Sequence, residues 1–368
     1  MNFGVIPGWT WWRPVASLVL LLAVQGCANT PYYWQSVRGH LSMMHAARPI
    51  QVWLDDPQTP ATMRQRLQLV QAMRQFAVTE LGLPDNSSYQ RFADLKRRYV
   101  VWNVVAAPAF SLNLKSWCFP VAGCVTYRGY FDETDAQAHA AMLRHQGWEV
   151  SVYGVPAYST LGWMNGLGGD PVLSTFANYP EGDLARVLFH ELAHQVLYVP
   201  GDTAFNESFA TAVERMGVAR WLAAHGTPQG QANYLQSEQR RQALRTLTRA
   251  TRDRLALVYK NNHAMANENK GLLAMKNEVL QDFRAAYAQI KAGWGGYAGF
   301  DAWVAQANNA AFGAQAAYDD LVPGFEALFV RQGRDWQRFF MAVKDLAQRP
   351  VPERARLLQQ WALERNNG

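Results

Sequence analysis

The stretch from Leu184 to Glu214, LARVLFHELAHQVLYVPGDTAFNESFATAVE, holds the residues best suited to chemistry. His190 and His194 stand four apart, so on a helix they project from one face a single turn apart. Two imidazole nitrogens can then meet at one ion. Glu191 lies one step round the helix and can hold a water bound to that ion. Spacing and residue types together point to hydrolysis assisted by Zn2+, with Glu191 as general base.

Such a motif also arises by chance, so its flanks decide. Asp183 can cap the helix, and Leu184, Val187, Leu188, Val196 and Leu197 make it apolar nearly all round, which predicts an internal helix. Two histidines and a glutamate inside such a helix are costly unless a strong partner satisfies them. Pro200-Gly201 ends the helix, and Asp202 or Thr203 can cap the next. If the two helices fold back about that turn, Glu207 faces the histidines and completes a His2Glu set with one position left for water. Glu214 shares the face two turns further on. It is either an alternative ligand or the partner of an imidazole N–H.

His190-Glu191-Leu192-Ala193-His194 followed by Asn206-Glu207-Ser208-Phe209-Ala210 resembles the zinc peptidases of the glutamate-ligand clan, the gluzincins. In these the second motif's glutamate is the third ligand. The connection here is shorter than in thermolysin or the large aminopeptidases. A closer resemblance is to a family of bacterial lipoproteins described as predicted zinc aminopeptidases. It is carried by Trp117 to Cys124, Tyr127 to Phe131, Tyr158 to Trp163, Asp170-Pro171, and Asn308-Asn309-Ala310 with Tyr318.

The resemblance implies a mostly helical α+β, gluzincin-like fold with an N-terminal mixed sheet, a central motif helix and a long helical hairpin. It also implies a peptide substrate, bound by β-addition to an edge strand for which Val150 to Tyr158 is the candidate. Tyr318 would then supply the phenol that stabilises the oxyanion, and Tyr158, Asn308 and Asn309 would contact substrate. Each is equally explicable as structural. The family's name favours an aminopeptidase over an endopeptidase. An aminopeptidase needs a carboxylate for the free α-amino group, and no residue identifies itself as that carboxylate. The G-x-M-E-N motif of the large aminopeptidases is only echoed by Gly162-Trp163-Met164-Asn165.

The chain has 368 residues, 49% hydrophobic and 17% charged, with a net charge of +6. This is a globular composition with ample core. No stretch has the dense basic and aromatic pattern of a nucleic-acid groove. Residues 1–27 read as an address: Arg13 precedes an apolar run from Val15 to Val24, too short to span a bilayer. Val24-Gln25-Gly26-Cys27 resembles the bacterial lipobox, which makes Cys27 the candidate for acylation; an ordinary cleaved signal is the alternative. Ala28 and Asn29 carry no aspartate of the inner-membrane retention kind, which favours the periplasmic face of the outer membrane. Cys118 and Cys124 remain, close together in an exported chain, and predict a disulfide.

The expected organisation is an α+β lobe over 28–180, the motif helices over 181–226, a helical hairpin over 227–293 and a helical C-terminal part over 294–368. Strands are expected at Tyr99 to Ala106, Leu112 to Trp117, Val125 to Phe131 and Trp148 to Tyr153. A reading from another class is a non-catalytic envelope lipoprotein that uses the cleft or the hairpin to bind a partner. The intact Glu191 argues against it, because a structural zinc site needs no base.

Overall fold

The computed structural model describes residues 30–119, 123–162, 164–261 and 269–366, without the side chains of residues 261, 269, 317–319, 365 and 366. Cys27, the apolar run before it and residues 262–268 within the expected hairpin lie outside the described residues, as does the side chain of Tyr318.

Helices dominate and short strands fill the N-terminal half, an α+β arrangement. Helix α1 (Thr30–Ala46), strand β1 (Ala47–Pro49) and helices α2 (Ile50–Asp55) and α3 (Ala61–Thr79) come first. Strands β2 (Arg91–Ala93), β3 (Val101–Pro108), β4 (Trp117–Phe119), β5 (Gly123–Val125) and β6 (Arg128–Tyr130) follow. Helix α4 (Glu133–His145), strands β7 (Trp148–Val155) and β8 (Val172–Leu173) and the short helix α5 (Ser174–Ala177) lead to the motif helices. Those are α6 (Glu181–His194) and α7 (Thr203–His225). Next comes a hairpin of α8 (Pro228–Asn261) and α9 (Asn269–Ala292). The chain closes with α10 (Asp301–Gln306), α11 (Asn309–Asp319), α12 (Val322–Arg331), α13 (Trp336–Ala347) and α14 (Val351–Asn366).

β3 is the centre of the largest sheet, antiparallel to β6 on one side and β7 on the other, with Asn103 opposite both Gly129 and Tyr153. Side chains alternate across it. Val104, Ala106 and Val150 pack on Ala136, Ala140 and Leu143 of α4. Val105 and Ala107 turn the other way, to Ala310 of α11 with Tyr127 and Tyr153. β7 is an edge strand among the described residues, pairing in this sheet with β3 alone. A second sheet joins β1 antiparallel, and β8 parallel, to β2.

Three expectations fail locally. The strand expected over Val125 to Phe131 is interrupted at Thr126 and Tyr127, between β5 and β6. Residues 112–116 are not a strand. The Lys115 amide instead donates to the Ala106 carbonyl at 2.8 Å, while Leu112 turns into the hairpin core. Asp183 does not cap α6, which begins two residues earlier, after the extended Pro180. It lies in the first turn, where the helix dipole favours an acid, and pairs with Arg241 of α8 at 2.8 Å.

The main core wraps the motif helices. Leu184, Leu188, Phe189 and Leu192 of α6 lie with Phe205 and Phe209 of α7 in one cluster that extends to Phe325 and Phe339. The Phe205 and Phe325 rings meet edge to face at 5.1 Å. The hairpin has a core of its own, Leu255, Tyr259, Leu272 and Phe283, which reaches Phe312 of α11. Polar ties fix it to the sheet: buried Lys276 pairs with Glu149, and its ammonium donates to the Ala109 carbonyl at 2.8 Å. α6 and α7 are therefore held rigidly from several sides.

Candidate metal centre

The turn between α6 and α7 sets the register of the site. Gly201 adopts φ +83°, a left-handed conformation that favours glycine. Asn206 locks the turn by accepting from the Val199 amide and donating to the Val199 carbonyl, both at 2.8 Å. Asp202 caps α7 by accepting from the Phe205 amide at 3.1 Å, and its other oxygen pairs with buried Arg354 of α14 at 2.8 Å. The Cys118–Cys124 disulfide staples β4 to β5, and Gly123 in that ribbon presses on the turn so closely that an added Cβ would sit 3.0 Å from the Gly201 nitrogen. Tyr127 lies just beyond β5, within electrostatic range of Glu207 on α7.

With that register, Glu207 faces both histidines. Its Oε2 lies 3.3 Å from His190 Nε2 and 3.7 Å from His194 Nε2. The imidazole rings stand nearly perpendicular, centroids 4.9 Å apart. All three ligand atoms fall within 4.8 Å of one another, so the group could hold a metal ion. The donor set fits one: metal bonds of about 2.0–2.1 Å at tetrahedral angles place neighbouring ligand atoms about 3.3 Å apart.

Behind the group, Glu214 Oε2 lies 3.0 Å from His190 Nδ1, and its other oxygen takes Arg186 Nε at 2.9 Å. Glu214 thus occupies the outer nitrogen of His190 and leaves Nε2 to face Glu207. His194 Nδ1 is buried with no hydrogen-bond partner among the described residues.

Without an ion, the charges of the group lean on one another. Burial disfavours the His190 imidazolium, but hydrogen bonds to Glu207 and Glu214 outweigh it and raise its pKa to about 10. Burial likewise works against the Glu207 carboxylate. The charge of His194 and the hydrogen bond from His190 prevail and lower Glu207 to about 2. Glu191 goes the other way: burial raises it, against the pull of His190 and His194. A carboxyl raised in this fashion suits a group that takes and returns a proton.

The remaining sequence candidates have partners of their own. Asn308 caps α11, accepting from the Ala311 amide at 3.1 Å and donating to the Val150 carbonyl at 3.2 Å. Asn309 is wholly buried; it accepts from the Tyr259 hydroxyl at 2.8 Å and donates to the Pro108 and Ala109 carbonyls at 3.1 and 2.9 Å. Both asparagines therefore tie α11 and the hairpin to the sheet. Tyr158 packs its ring on Phe131 and His40, at 5.2 and 5.8 Å. Tyr127, Tyr153 and Tyr198, to which the sequence assigns no role in the site, have hydroxyls within electrostatic range of Glu207. Tyr127 also lies in range of Glu191. The one signal in sequence is that Tyr127 opens the segment Tyr127 to Phe131, which carries part of the family resemblance.

The fold and site define a protein with a buried His–His–Glu group able to hold a metal ion, with a glutamate beside it. Residues 31–358 match the family model described as "Putative aminopeptidase", and the chain belongs to that family. No curated protein and no solved structure matches it.

Proposed function

We propose that this chain is a zinc-dependent aminopeptidase of gluzincin type that works at the bacterial envelope. The observation that carries the reading is the convergence of His190 Nε2, His194 Nε2 and a Glu207 oxygen beside Glu191, with Glu214 backing His190. Zn2+ bound there would polarise the scissile carbonyl and make a water more acidic. Glu191 accepts the proton of the attacking water and returns it to the leaving amine. Arg186 and Glu214 hold the His190 ring so that Nε2 stays directed at the site.

Tyr127 supplies the hydroxyl that steadies the developing oxyanion, being within electrostatic range of both Glu207 and Glu191. The resemblance gives the same role to Tyr318, whose side chain lies outside the described residues. β7, whose outer edge is unpaired in its sheet, offers backbone groups to an extended peptide.

The envelope assignment rests on the apolar run and lipobox-like end at Cys27, and on a disulfide that suits an oxidising compartment. α1, which starts just after that segment, exposes Tyr33, Trp34, Val37 and Leu41. No described helix is long and apolar enough to cross a membrane, so the acyl chain is the proposed anchor.

The test is hydrolysis of aminoacyl-coumarin amides by the purified protein, before and after chelation and with zinc restored. Activity that is lost on chelation, returns with zinc and falls roughly 10²–10⁴-fold in Glu191→Gln supports the reading. A zinc-loaded protein that cleaves no peptide, blocked or free, would leave the non-catalytic lipoprotein in its place.

A further inference from the structure

Asp170 leads into β8 and is wholly buried. Its Oδ2 accepts from the Thr160 amide at 2.9 Å and from Ser159 Oγ at 3.4 Å, which holds the loop from Tyr158 to Leu161 against it. Its backbone is fixed as well. The Tyr89 amide donates to the Asp170 carbonyl at 2.6 Å, and the Asp170 amide donates to Ser88 Oγ at 3.1 Å. Ser88 Oγ also accepts from Gln195, the residue after His194, at 3.1 Å. Asp170 is thereby braced against the end of the motif helix.

Its other oxygen has no such work. Oδ1 is buried with no hydrogen-bond partner among the described residues, and no described lysine or arginine pairs with the carboxylate. A buried, unpaired carboxylate is costly unless something of opposite charge meets it. Burial accordingly pushes its pKa up. Around it stand further orphans: the hydroxyls of Tyr89 and Thr160 and both ring nitrogens of His40 are buried without a well-formed hydrogen bond among the described residues. His40 is within electrostatic reach of Asp170, and Tyr89 is within reach of both Asp170 and Glu191. The cluster is thus polar, unsatisfied and next to the proposed base.

The group whose chemistry fits is a small cation with several N–H donors. A peptide's free α-ammonium is such a cation, with three donors, and it lies one carbon from the first carbonyl of the chain. We infer that Asp170 binds the free α-amino group of the substrate, with Tyr89 and Thr160 as neighbouring acceptors, and so limits cleavage to the first peptide bond. This inference rests on the peptidase reading above. An acyl group on that nitrogen removes the charge that the carboxylate would meet, so blocked peptides are rejected.

The experiment compares an aminoacyl-coumarin amide with its N-acetyl counterpart on zinc-loaded wild type, Asp170→Asn and Tyr89→Phe. Asparagine keeps an oxygen for the Thr160 amide but loses the charge, which separates amine recognition from loop anchoring. The free-to-acetylated ratio of kcat/KM should be large in wild type and fall on the order of 100-fold in Asp170→Asn, as loss of one partner of a buried charge pair requires. In Tyr89→Phe it should fall about tenfold, the cost of one hydrogen bond to a charged group. Tyr89→Phe leaves the loop anchor intact and decides the matter if Asp170→Asn does not fold, as read by circular dichroism. A ratio unchanged in the folded variants overturns the inference and leaves Asp170 a loop anchor, with the peptidase reading intact. Equal cleavage of both substrates by wild type also overturns it, and makes the enzyme an endopeptidase. Cleavage of neither substrate by zinc-loaded wild type is instead the failure of the peptidase reading itself, and the inference falls with it.

Discussion

Glu214 Oε2 lies 3.0 Å from His190 Nδ1, while the opposite nitrogen of the same ring lies 3.3 Å from Glu207 Oε2. One imidazole is thus held between two carboxylates seven residues apart on α7. The arrangement assigns them different work: Glu207 faces the site, and Glu214 fixes the ring from behind with Arg186 as its own partner.

Glu214→Gln should therefore keep zinc but hold it about 10–100-fold more weakly, as is usual when a group behind a metal ligand is altered. Competition with a chromophoric chelator measures this. Affinity equal to wild type would mean that Glu214 does not position His190.

The metal-free protein should respond to pH through His190. Hydrogen bonds to Glu207 and Glu214 outweigh burial and raise its pKa to about 10. A raised folded-state pKa gives stabilisation that is complete below the unfolded value of about 6.5 and lost as pH climbs through the folded one. The melting temperature of metal-free protein should then fall, relative to the zinc form, between neutrality and about pH 10. Zinc must displace the same proton, so affinity should rise by up to about tenfold per pH unit over that range. A flat affinity profile would contradict a protonated His190.

Tyr127→Phe should retain zinc and fold yet lose roughly 10²–10³-fold in kcat, the usual cost of one oxyanion donor. Steady-state kinetics with metal analysis read both quantities. Wild-type turnover would return the role to another tyrosine, Tyr153 or Tyr198 among those near Glu207.

Arg354 Nε and Nη2 lie 2.9 and 2.8 Å from Asp202 Oδ2, and both residues are buried. Arg354→Met leaves the carboxylate that caps α7 buried without its cation. The expected cost is about 3–5 kcal/mol, read as a lower denaturant midpoint at constant slope. A shift under about 1 kcal/mol would mean that water takes over the pairing, as at an exposed site.

Much of this site was legible because it is local. His190, Glu191 and His194 share one helix turn, and Glu207 follows from a single turn at Pro200-Gly201 that reverses the chain. The apolar face of α6 and the glycine at the turn dictate both steps. Helix α4 carries an equally local signal, with Asp132 accepting from the Thr134 and Asp135 amides at its start. What was not legible is long-range. Tyr127 comes within electrostatic range of Glu207 and Glu191 only in the folded chain, and Asp170 shows its free oxygen only once the loop from Tyr158 to Leu161 folds over it. Asn308 and Asn309 carry no mark in sequence of the Val150, Pro108 and Ala109 carbonyls they bind. Residues 112–116 have strand-like composition, yet Leu112 turns into the hairpin core and no ladder forms there.

The central claim is that His190, His194 and Glu207 together hold one zinc ion. Zinc per chain, measured after dialysis against a weak chelator, tests it most directly. Wild type should hold one equivalent, and Glu207→Ala, folded by circular dichroism, should hold almost none, a loss beyond the roughly 10–100-fold expected of Glu214→Gln. A folded Glu207→Ala variant that keeps a full equivalent of zinc would contradict the account.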